Sequence, residues 1–74
     1  MRDDPFPGVS DAEMEQMISR ARLGRINGQI ARMRLIDGED YADIAASFEA
    51  KDHISRTTAS RRMKGIIAAL NNAR

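Results

Sequence analysis

Seventy-four residues with no cysteine and one histidine limit the chain to one small domain with a single, marginal core. They exclude a disulfide framework and a thiolate metal site, and His53 has no second histidine or cysteine near it, so neither a metal nor any other cofactor is expected. No apolar run approaches spanning length and the acidic start Met1-Arg2-Asp3-Asp4 lacks a signal-peptide core, which predicts no membrane partner and a cytoplasmic location.

The net charge of +1 conceals a sorting of charge along the chain. Residues 1–19 hold one arginine against five acids, and residues 20–36 hold five arginines and no acid. Residues 37–52 hold one lysine against six acids, and residues 53–74 hold four arginines and one lysine. Blocks that alternate in this way can give a nearly neutral protein one positive face for a polyanion. The alternative is that they pair with one another as surface salt bridges of small individual worth.

Residues 1–9, with Pro5, Pro7 and Gly8, have no period and read as a flexible arm whose only base is Arg2, fewer than minor-groove arms carry. Ser10 and Glu13 have the form of a capping box, in which Ser10 caps and Glu13 reaches back to the Ser10 N–H. Met14, Met17, Ile18 and Ala21 then make a helical stripe to about Arg22. Gly24 and Gly28 and a phase shift near Leu23 predict a break before a second helix carrying Ile26, Ile30, Met33 and Ile36, which Gly38 closes.

Asp40 can cap a third helix with Tyr41, Ile44, Ala45 and Phe48 on its buried side, small Ala45 allowing a close crossing. Residues 49–53 connect it to the fourth helix, and Ile54 plugs the core between the two. That fourth helix, residues 55–70, opens with Ser55 as its N-cap, accepting from the Thr57 or Thr58 N–H. Ala59, Met63, Ile66 and Leu70 recur at steps of four, three and four, one stripe facing a core. The other side offers Arg56, Thr57, Ser60, Arg61 and Lys64, residue types that bond phosphates and reach base edges. The expected fold is therefore all-α: a small bundle of four or five helices containing a helix-turn-helix with an extended turn. It runs over residues 10–71, behind the arm and ahead of a frayed end at 72–74.

Several strings together resemble a known family. Ile30-Ala31-Arg32 and Leu35-Ile36-Asp37-Gly38 lead into Ala45-Ala46-Ser47-Phe48; Ile54-Ser55-Arg56 is followed by Ser60 and Ile67-Ala68-Ala69-Leu70. In order and spacing, over residues 9–70, these resemble the KorA/TrfB family of plasmid-borne helix-turn-helix transcriptional repressors. The resemblance implies that Ser55 and Arg56 enter the major groove first and Ser60 one turn later, with Arg61 beside a polar reader of bases and Ala59 and Met63 as packing. Residues 49–52 exceed a tight turn and are expected to extend the third helix or tilt the fourth. The chain ends soon after Leu70, where the family continues into a dimerisation module, so symmetric dimer binding does not follow from the resemblance alone.

The leading expectation is sequence-specific binding of double-stranded DNA to repress transcription. Arg56 or Arg61 would read a guanine, while Ser55, Thr57, Thr58, Arg62 and Lys64 hold phosphates and set register. Arg20, Arg22, Arg25, Arg32 and Arg34 are either flanking-backbone contacts or merely solvated. A lone module offers few phosphate contacts, so a homodimer on an inverted repeat, joined through Ile67 and Leu70, would raise affinity. The competing expectation is a phage or plasmid adaptor that docks on RNA polymerase or another regulator. Gly38-Glu39-Asp40-Tyr41 into Ile44-Ala45 is similar to promoter-reading domains of sigma factors, and Asp37, Glu39, Asp40, Asp43, Glu49 and Asp52 would form the partner surface. An enzyme is the least expected class: His53 and Ser55 stand two apart, but that spacing is commonplace and the serine serves as a cap.

Overall fold

The computed structural model describes residues 5–73. Among the described residues the regular elements are all helical: α1 (Asp11–Ala21), α2 (Arg25–Leu35), α3 (Tyr41–Ala46), a 3-10 turn (Ala50–Asp52) and α4 (Arg56–Asn72). None is long and apolar enough to cross a membrane. The chain is a small all-α bundle in which α4 packs on each of the other three helices.

Local chemistry sets the boundaries. Ser10 caps α1 by accepting from the Glu13 N–H at 3.2 Å, and its hydroxyl donates to the Glu13 carboxylate at 3.3 Å. Glu13 thus meets the serine hydroxyl rather than its N–H. The break after α1 is abrupt: Arg22 is left-handed at φ 50°, and Gly24 lies at φ 88°, ψ 174°, a region open only to glycine. Gly38, at φ 71°, turns the chain beyond α2 so that the Glu39 N–H reaches the Met33 carbonyl at 2.9 Å. Asp40 caps α3 by accepting from the Asp43 N–H at 2.9 Å.

The core holds Met14, Met17 and Ile18 of α1, Ile30 and Ala31 of α2, Ile44 of α3, Ile54, and Ala59, Met63, Ile66 and Leu70 of α4. The expected stripe of α4 is therefore its buried side, residue for residue. On α2 the buried line is Gly28, Ile30 and Ala31, while Ile26, Met33 and Ile36 are half-buried, because this helix packs on α1, α3 and α4 at once. No side chain of a polar residue is buried among the described residues, so hydrophobic contact carries the packing.

One expectation, at the N-terminal end, is corrected. Residues 1–4 and Arg74 lie outside the described residues, but the segment from Pro5 to Val9 does not hang free. Phe6 is 1% exposed and belongs to the core, Val9 packs against that core, and the Val9 N–H bonds to the Phe6 carbonyl. Burying one aromatic ring outweighs the lack of helical period around it. At the other end α4 runs through Asn72, and the Ala73 N–H donates to the Ala69 and Leu70 carbonyls.

Phe6→Ala tests the docked segment. Emptying a buried aromatic site costs about 3–5 kcal/mol, a large part of the stability of a domain this small. Urea unfolding should show a loss of that order; a loss below about 1 kcal/mol would mean that the segment is a free arm.

Candidate functional site

The connection between α3 and α4 decides how α4 is presented. It neither extends α3 nor leaves a slack loop: Ser47 ends α3, and residues 50–52 form their own 3-10 turn. The Asp52 N–H bonds to the Glu49 carbonyl and the His53 N–H to the Ala50 carbonyl; His53 then turns left-handed at φ 54° and sends Ile54 inward. Side chains hold this turn to α2. Arg25 pairs with Asp52 at 3.0 Å, the Asp52 side chain being only 10% exposed, and Gln29 donates to the Ser47 hydroxyl at 3.2 Å while Ser47 donates to the Ile44 carbonyl at 2.7 Å. The extra residues are thus a fixed strut.

Ser55 caps α4, its oxygen accepting from the Thr58 N–H at 3.1 Å and sharing a hydrogen bond of 2.9 Å with the Thr58 hydroxyl. From this start α4 extends about 25 Å at the usual rise, with its register fixed by Ala59, Met63, Ile66 and Leu70. Arg56, Thr57, Arg61 and Lys64 are exposed and Ser60 half-exposed. Together with Tyr41 of α3 these five line one open groove of about 320 Å³.

The charges in this groove differ from those of α2. Arg25 pairs with Asp52, and Arg32 pairs with Glu15 at 2.7 Å. Arg34 donates to the Glu39 carbonyl at 3.0 Å and lies 4.6 Å from the centre of the Tyr41 ring, a cation–π contact. Arg56, Arg61 and Lys64 have no carboxylate partner among the described residues. Three cations thus share this surface with Tyr41, Thr57 and Ser60, without an ion pair among the described residues. Its chemistry suits phosphate oxygens and other acceptors.

Of the eight residues expected to form a site, five line this groove: Arg56, Thr57, Ser60, Arg61 and Lys64. Ser55 and Thr58 are occupied with each other at the cap. Arg62 points elsewhere, donating to the Asn27 side chain of α2 at 2.9 Å. A step of one residue, about 100° past Arg61, carries it toward α2, and a contact 35 positions away in sequence decides its aim. Sequence reasoning missed Tyr41 as a site residue by assigning it wholly to the core; the available signal was its amphipathic ring, which packs at one end and hydrogen-bonds at the other. Leu70, expected at a dimer contact, is fully buried and serves the core alone.

No family model, no curated protein and no solved structure matches this chain.

Ser55→Ala should destabilise by about 1 kcal/mol through loss of the cap, whereas Ser55→Asp, which keeps an acceptor, should cost far less. Equal thermal unfolding midpoints for wild type and Ser55→Ala would show that the cap does not hold the start of α4.

Proposed function

We propose that this chain binds double-stranded DNA sequence-specifically, with α4 seated in the major groove, and represses transcription by occupying a promoter. On this reading α3, the 3-10 strut and α4 act as a helix-turn-helix with an extended turn, in keeping with the resemblance to the KorA/TrfB repressors. The observation that supports it most is the contrast among the arginines. Those of α2 are engaged within the chain, while Arg56 and Arg61, with Lys64, are exposed on one side of the helix and have no carboxylate partner among the described residues.

The roles follow from chemistry. The forked donors of Arg56 or Arg61 match the acceptor pair of a guanine edge, Thr57 and Ser60 serve either base or phosphate, and Lys64 acts as a point charge on the backbone. Arg62, held by Asn27, sits to one side and contributes by bracing α4 on α2. The adaptor reading loses part of its surface to contacts within the chain: Asp52 pairs with Arg25, Glu49 with Lys51, and Asp40 caps α3. Two copies on an inverted repeat would still raise affinity, but through residues other than Leu70.

Arg56→Ala should cost roughly 1–3 kcal/mol on a selected duplex and relax preference at one base pair. Lys64→Ala should weaken selected and scrambled duplexes alike and lower the salt slope by about one. Binding titrations over a salt series check both. Identical losses on selected and scrambled duplexes for both variants would defeat the assignment of roles, and no binding by the wild type would defeat the function.

A further inference from the structure

Gly65 stands in the interior of α4, on the solvent side, and a Cβ built there would meet no atom within 4 Å. Apart from proline, glycine is the least favourable residue for a helix interior, so this position weakens the longest helix of a small fold. Nothing in the packing of the chain asks for it. Gly28 differs: it is buried in α2, where a Cβ would come to 3.5 Å from Nη1 of Arg32.

The neighbours of Gly65 suggest what the missing side chain makes room for. Arg61 precedes it by one helical turn, Lys64 adjoins it, and Ala68 follows on the same side. The missing side chain leaves open space over the helix backbone at Gly65, beside two cations that have no carboxylate partner among the described residues. A sugar-phosphate strand can come closer to a helix there than over any side chain, with Arg61 and Lys64 reaching round it.

We infer that Gly65 is a positioning residue, which sets how closely α4 seats against the duplex. The inference rests on the DNA-binding reading above. It assigns Gly65 no bond of its own: the residue acts by the room it leaves for its neighbours' contacts to phosphate.

The test uses the full chain, a mixed-sequence duplex at low salt, and the variants Gly65→Ala, Gly65→Leu and Gly28→Ala. Gly65→Ala and Gly28→Ala should each raise the thermal midpoint, by about 4 °C where the full helix-propensity gain is realised. Only the Gly65 variants should lose affinity: Ala by a few-fold, and Leu by about tenfold with a salt slope lower by about one, as phosphate contacts are held off. Wild-type affinity and slope in Gly65→Leu would overturn the inference and leave the DNA-binding reading standing. No duplex binding by the wild type would overturn both. Sedimentation separates one further case: if the wild type self-associates without DNA and Gly65→Leu does not, the surface seated at Gly65 is a second copy, and the inference fails.

Discussion

The arrangement depends on one constraint, the burial of Ala59, Met63, Ile66 and Leu70 along a single side of α4. Because α4 packs on α1, α2 and α3 together, that stripe locks both the position of the helix and its rotation about its own axis. Rotation is what matters for the outer side chains. A turn of about 100° per residue means that fixing four apolar positions also fixes Arg56, Thr57, Arg61 and Lys64 on the solvent side. The hydrophobic core and the charged surface of α4 are thus two consequences of one pattern. The Ser55 cap adds the axial register by settling where the helix starts.

The second determinant is how the chain disposes of its charges. The basic block of residues 20–36 is drawn partly into contacts that brace the scaffold: Arg25 holds the 3-10 strut, Arg32 ties α2 to α1, and Arg34 covers Tyr41. Exposed pairs of this kind contribute little stability individually, but they take arginines and acids out of competition for an external partner. The basic residues of α4 have no carboxylate partner among the described residues. A chain with a net charge of +1 can therefore carry an unneutralised cationic surface.

Much of this was legible because it is local. The caps at Ser10, Asp40 and Ser55 are defined by a side chain and an N–H three residues on, and the α1 and α4 stripes by a period of 3.6. What depends on distant contacts was not legible. Phe6 sits between two prolines with no period around it, and only tertiary packing takes it into the core. Arg62 belongs by composition with its basic neighbours, yet Asn27 on another helix decides its direction. The buried line of α2 is displaced from the one its large apolar residues suggest, since that helix has packed neighbours on several sides. The excess residues of the turn could have lengthened a helix; their folding into a separate 3-10 strut follows from the Asp52 and Ser47 contacts to α2, which no local signal announces.

The central claim is that the solvent side of α4 is the surface that meets a duplex, and mapping backbone amide resonances during titration with mixed-sequence DNA at low salt tests it most directly. Electrostatic binding without sequence preference uses the same cationic surface as specific binding, so the operator need not be known. The account predicts that the largest shifts fall on residues 55–65 and on Tyr41, fading as salt is added. Shifts centred instead on the acidic residues 37–43 or on the strut at 48–52, with α4 silent, would contradict it.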